Sequence, residues 1–147
     1  MENVQVQIRR LKKDDAEEIS RIYAEITRKP VDTDFKRIIE EHARREEDAC
    51  FVAEHEGRVV GFMISYILTG GFGIAKSAWI ATLGVNPKFM GTGIGASLAG
   101  EIFRFYQTKG IENVYTSVRW DSTDLLSFFK TLGFDRSDFI NLRKVLG

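Results

Sequence analysis

Three glycines alternate in the run Gly91-Thr92-Gly93-Ile94-Gly95-Ala96, and Leu98, Ile102 and Phe105 then recur at helical spacing. A glycine turn that opens a helix can bind an anion. The first amides of a helix have no partner inside it and lie at the positive end of its dipole. Glycines leave no side chains where a phosphate must sit, and a left-handed backbone angle costs them little. One glycine suffices for a plain strand-to-helix turn, so three favour a phosphate or diphosphate site.

Two nucleotide-binding fingerprints share that chemistry and have to be weighed. The spacing satisfies G-x-G-x-x-G/A through Gly91, Gly93 and Ala96, the fingerprint of nicotinamide dinucleotides. Such a turn should follow its strand at once within repeated βαβ units. Here Asn86 to Met90 intervene, and the upstream elements read as two helices and a hairpin. Asp121 can be cast as the ribose acid, yet 147 residues leave no room for the second half of that fold. A P-loop is excluded because no Lys-Ser or Lys-Thr follows the glycines.

The elements that must position this turn follow from periodicity. Val4 to Arg9 alternates apolar and polar residues, as a half-buried strand near a sheet edge does. A first helix opens at Asp14-Asp15 with Ile19, Ile22, Tyr23 and Ile26 on one face, and a second starts at Asp32 or Thr33 beyond Pro30. Cys50 to Glu54 and Arg58 to Leu68 read as a hairpin through His55-Glu56-Gly57, the second strand being apolar on both faces and therefore central. Gly70-Gly71-Phe72-Gly73 is a loop before the strand Ala78 to Val85, which Asn86-Pro87 ends. The helix after the glycines stops at Gly110, and Val114 to Val118 is another strand. Asp121 or Ser122 caps a last helix ended by Gly133, and Phe134 and Phe139 to Leu146 give closing strands. The order β, α, α, β, β, β, α, β, α, β implies one α/β (α+β) domain spanning residues 1–147, a mixed sheet with packed helices.

Composition bounds the partners. Lys plus Arg and Asp plus Glu number 21 each, so no basic field gathers nucleic acid or an anionic membrane. Eleven Phe, four Tyr and two Trp supply a core that needs neither disulfide nor metal. The lone Cys50 precedes the apolar run Phe51-Val52-Ala53 and reads as a buried, inert thiol. No secretory signal opens the chain, and the stretch Val59 to Ala75 is too short and too glycine-broken to span a bilayer, so a cytoplasmic protein is expected.

The run Trp79 to Pro87, followed by Met90-Gly91-Thr92-Gly93-Ile94-Gly95-Ala96-Ser97-Leu98, resembles the central motif of the GNAT superfamily of acyl-CoA-dependent N-acetyltransferases. Ser122 to Phe134, ending Phe128-Phe129-Lys130-Thr131-Leu132-Gly133-Phe134, resembles its C-terminal helix and following Gly-Phe. The resemblance implies a mostly antiparallel sheet with helices on both faces, in which the strand holding Leu83, Gly84 and Val85 splays from its parallel neighbour Val114 to Val118. It further implies acetyl-CoA as cosubstrate, with pantetheine amides on the main chain of Leu83 and Val85 and the pyrophosphate on Gly91 to Ala96, including Thr92, Ile94 and Gly95. Val85 N–H is the implied oxyanion donor, and Met90, Ser122 and Phe129 complete the implied cofactor-facing set.

Three positions depart from the family pattern. Met90 stands where Gln or Arg is frequent, which removes a side-chain donor and leaves the backbone nest. Phe129 stands where many members have a Tyr acid; a thiol pKa of about 8.5 makes thiolate a tolerable leaving group without one. Tyr23, Tyr66 and Tyr115 are substitutes or plain core and strand residues. Ala81 and Thr82 occupy the place of a strand Glu base, leaving a water chain, Asp121 or Glu25 to take the proton of an amine of pKa about 10.

The resemblance places the acceptor between Ile26 to Asp34 and the loop Thr69 to Lys76, where Phe72 is either a lid or part of a long connection, and Trp120 either lines the acceptor pocket or packs. An N-acetyltransferase acting on a primary amine of a small molecule or protein is therefore expected. The alternative is a CoA-binding sensor or interaction module on the same fold. The sequence leaves the acceptor open, and leaves a homodimer open beside a monomer.

Overall fold

The computed structural model describes residues 5–70, 73 and 75–147, so the expectations resting on Val4 and Phe72 lie outside the described residues. The chain divides into two compact units, Met1–Ser117 and Val118–Gly147.

The first unit is built on a five-stranded sheet of β1 (Gln7–Arg10), β2 (Cys50–His55), β3 (Arg58–Leu68), β4 (Ser77–Val85) and β5 (Val114–Thr116). Its spatial order equals its chain order, β1-β2-β3-β4-β5, which puts β1 on an edge and β3 at the centre as the alternating and continuous apolar patterns predict. Three neighbouring pairs are antiparallel and only β4 with β5 is parallel. The β2–β3 turn uses left-handed Glu56 (φ 50°) and Gly57 (φ 77°), the geometry that matches a two-residue hairpin to the strand twist.

Three helices cover this sheet: α1 (Ala16–Thr27), α2 (Thr33–Ala43) and α3 (Ile94–Thr108). Asp32 caps α2 by accepting the Asp34 amide at 2.8 Å, as its side-chain type predicts. Strand alternation sorts the helices onto two faces. Phe62 and Ile64 of β3 are buried with Ile19, Ile22 and Ile39 of the first two helices. On the other face Ser65 hydrogen-bonds Tyr106 of α3 at 2.7 Å, and a methyl added to Gly61 would meet Ile94 Cγ2 at 2.9 Å, so only glycine lets the head of α3 approach so closely. Arg9 ties β1 to the start of α1, donating to both carboxylate oxygens of Asp15 at 2.8 Å and to Glu54 at 2.6 Å.

The second unit contains α4 (Thr123–Thr131) with Ser122 at its N-cap position. Ser122 makes no side-chain capping bond, and the neighbouring Asp121 is held by Arg119 instead. Phe129 is buried, its ring edge-on to Phe128 at 5.2 Å and to Phe134 at 5.1 Å, and Gly133 (φ 93°) ends the helix. No strand is assigned within this unit over Phe134 or Phe139 to Leu146, where the sequence predicts closing strands.

Candidate functional site

One extra residue in β4 shapes the site. In the β3–β4 ladder Ile64 pairs with Thr82 and Ser65 with Ile80, which leaves Ala81 without a counterpart, a β-bulge. A bulge bends its strand and resets which main-chain groups point to which side. The parallel ladder to β5 stops at the same place: its pairs are Ala78↔Val114, Trp79↔Tyr115 and Ile80↔Thr116, and Ala81 to Val85 run on past its end. The bulge and the end of this ladder fall at the place where the resemblance implies that β4 splays from β5.

The main-chain directions follow from the bonds at either end. Before the bulge, Ala78 N–H donates to Asn113 on the β5 side at 3.1 Å, and Ile80 carbonyl accepts Thr116 Oγ1 there at 3.0 Å. After it, Asn86 N–H donates to Val60 on the β3 side at 2.8 Å. Alternation in an extended strand then turns the polar groups of Leu83 and Val85 away from β3, toward the side on which β5 pairs with the earlier part of β4. Gly84, between them, is buried against the other helix layer. A methyl there would meet Phe62 Cε1 at 2.8 Å and Ile26 Cδ1 at 2.9 Å, so this glycine admits the end of α1.

The glycine turn lies one short 3-10 turn (Pro87–Phe89) further on. Asn86 stabilises that turn by accepting Lys88 N–H at 3.0 Å. Gly91 (φ 79°) and Gly93 (φ 85°) are both left-handed, as a close-approach turn requires, and a methyl on either would meet nothing within 4 Å. They border open space rather than packed protein. Thr92 Oγ1 is used within the turn, donating to Phe89 carbonyl. The Ser97 amide reaches Gly93 carbonyl at 3.0 Å, the first helical bond of α3, so the amides of Ile94, Gly95 and Ala96 ahead of it have no partner in the preceding turn. Met90 is 59% exposed beside them. The open cradle and its free donors fit a diphosphate.

The remaining predicted residues fall elsewhere. Asp121 is fully exposed and doubly bonded to Arg119, at 3.0 and 3.1 Å, which holds its carboxyl below the ordinary range and makes it a poor base. Glu25 is exposed on α1, and Tyr23 is stacked on Phe35 with centroids 4.1 Å apart. Ser122 and Phe129 belong to the second unit. Cys50 is buried and its thiol is pushed up to about 11 by that burial, which keeps it protonated and inert as expected. Among the described residues no group of acidic, His or Cys side chains forms a metal site, and no helix is long and apolar enough to cross a membrane. Sequence reasoning missed the bulge at Ala81, because a bulge shows itself only in the register of two strands.

Residues 16–134 match the acetyltransferase (GNAT) family, and the chain belongs to it. Among its relatives is the mycothiol acetyltransferase of Amycolatopsis mediterranei (strain U-32), 30% identical over 105 residues that cover 69% of this chain and 35% of the relative. The chain thus spans about a third of that relative's length. Its fold is shared with a transcriptional regulator from Bacillus halodurans C-125, with TM-score 0.81 and 18% identity over 97% of this chain and 100% of the other. The aminoglycoside N-acetyltransferase AAC(6')-Iy in complex with CoA has the same fold, with TM-score 0.81 and 18% identity over 98% and 97% of the two chains.

Proposed function

We propose that this chain is a single acetyltransferase domain that moves an acetyl group from acetyl-CoA directly to the primary amine of a small molecule or protein. The observation that carries this reading is the open edge of β4, which starts at the Ala81 bulge, offers the main chain of Leu83 and Val85, and leads to the Gly91–Ala96 cradle. Acetyl-CoA, when bound, supplies an activated acetyl thioester.

Each part of the chain has a task in this scheme. The amides of Ile94, Gly95 and Ala96 offset diphosphate charge at the positive end of α3. Leu83 and Val85 hold an extended arm as a neighbouring strand would, and Val85 N–H is the donor available to an acyl oxygen gaining negative charge. Proton removal from the acceptor falls to solvent. Phe62–Leu68, Ser77–Val85 and Val114–Thr116, the strand segments flanking the opening, contain no carboxylate, histidine, lysine or arginine. The rate should therefore rise with pH along the acceptor amine's own titration rather than a protein group's. The single buried cysteine supports a reducing, cytoplasmic setting.

Thiol release from acetyl-CoA against grouped amine pools tests the proposal. Turnover with one pool supports it; tight CoA binding with none overturns it in favour of a CoA-binding sensor, the reading that Phe129 and the acid-free strands favour.

A further inference from the structure

The last turn of α1 reaches the segment of β4 that the transfer scheme assigns to the acyl-bearing arm. A methyl on Gly84 would meet Ile26 Cδ1 at 2.9 Å and Phe62 Cε1 at 2.8 Å, so these two side chains close over the residue between Leu83 and Val85. Gly84 Cα is only two bonds from the Val85 nitrogen, so Ile26 stands beside the donor that the scheme gives to the acyl oxygen. Phe62 is fully buried, whereas Ile26 is 39% exposed, pressed on Gly84 at one side and bordering open space at the other. That is the position of a wall rather than of a core residue.

The wall is held in place. Arg28, left-handed at φ 56°, ends α1 by donating its amide to Ala24 carbonyl, which Lys29 N–H also reaches at 3.1 Å. Thr27 Oγ1 donates to Tyr23 carbonyl at 2.8 Å, and the Tyr23 ring is stacked on Phe35 of α2 with centroids 4.1 Å apart. Ile26 is β-branched and therefore stiff at χ1 in a helix, so it yields to a ligand only by leaving its preferred rotamer.

We infer that Ile26 sets the length of the acyl group, leaving room for an acetyl and colliding with longer chains. The inference rests on the acetyl-transfer reading above. Each methylene taken into an apolar site favours binding about fourfold, but overlap with a fixed side chain reverses that gain. Ile26→Val removes Cδ1, the atom that stands against Gly84, and Ile26→Ala removes everything beyond Cβ. The two variants therefore open the wall in steps.

Titration calorimetry with CoA, acetyl-CoA, propionyl-CoA and butyryl-CoA tests the wall without knowledge of the acceptor, and thiol release from each acyl-CoA with pooled primary amines reads the same order in kcat/KM. Wild type should bind butyryl-CoA about tenfold more weakly than acetyl-CoA. Ile26→Val should tighten propionyl-CoA about fourfold and leave butyryl-CoA weak, while Ile26→Ala should tighten butyryl-CoA about tenfold, and neither should move CoA itself by more than about twofold. If wild type binds butyryl-CoA as tightly as acetyl-CoA, or Ile26→Ala shifts all four ligands alike, the wall is overturned and acetyl transfer stands. A changed KM for the amine with the acyl order kept puts Ile26 against the acceptor instead and overturns the proposal. The expected binding order and its stepwise shift, without turnover of any acyl-CoA, keep the wall and overturn the transfer reading. If Ile26→Ala fails to fold, Ile26→Val decides the matter through propionyl-CoA.

Discussion

Gly93 separates strain from ligand binding when it is paired with Gly110. Both are left-handed, at φ 85° and 75°, and both face open space where a methyl meets nothing within 4 Å. Alanine at either position incurs the same backbone penalty, about 1–2 kcal/mol. For a chain of this size that lowers Tm by about 2–8 °C. Only Gly93 borders the free amides at the head of α3. A methyl there stands in the cradle and displaces a diphosphate from one or two charge-assisted bonds of about 1.5–3 kcal/mol each, so CoA affinity should fall at least about tenfold. Differential scanning calorimetry and titration calorimetry with CoA read the two effects on the same samples. Gly93→Ala and Gly110→Ala should match in Tm loss and differ in Kd. If Gly93→Ala kept CoA affinity within about twofold of wild type, the reasoning about the cradle would be refuted.

Three further outcomes follow from the packing and titration of the first unit. Gly84→Ala drives a methyl into Phe62 and Ile26, so it should cost about 1–3 kcal/mol by urea unfolding, and adding Ile26→Ala should recover part of the loss. Cys50→Ala should leave kcat within about twofold, and wild-type Cys50 should react with an aromatic disulfide at pH 8 only after unfolding, because its thiol titrates near 11. His42 is held below its ordinary pKa, mainly by burial, so the unfolded chain protonates it first. Its contribution to stability is present above the unfolded value of about 6.5 and falls as pH drops below it, and His42→Gln should flatten that part of a urea-midpoint profile.

Much of the architecture was legible because periodicity survives without tertiary information. Ile19, Ile22 and Ile39 could be placed on helix faces, and the unbroken apolar run of β3 announced a central strand. The glycine turn was legible for a related reason: left-handed geometry at Gly91 and Gly93 demands a residue type that can be read directly. Register could not be read. Ala81 is an ordinary strand residue by composition, and only its lack of a counterpart between Ile64 and Ser65 makes it the hinge of the cleft. The row of Tyr66, Trp79 and Tyr115 across β3, β4 and β5 was hidden likewise, since the three line up only when three strands fall into step. Strand β5 ends at Thr116 rather than at Val118.

The Ala81 bulge also has a consequence for handling the protein. Within the first unit, β4 from Ala81 to Val85 has a ladder partner on one side only, as the edge strand β1 does along its length. Such one-sided borders recruit extended chain of any origin, including another molecule of the same protein. An extended ligand arm lying there acts as a removable strand that seals the border. Purified without it, the protein should be most prone to self-association, and added coenzyme should act as a colloidal stabiliser before it acts as a reactant.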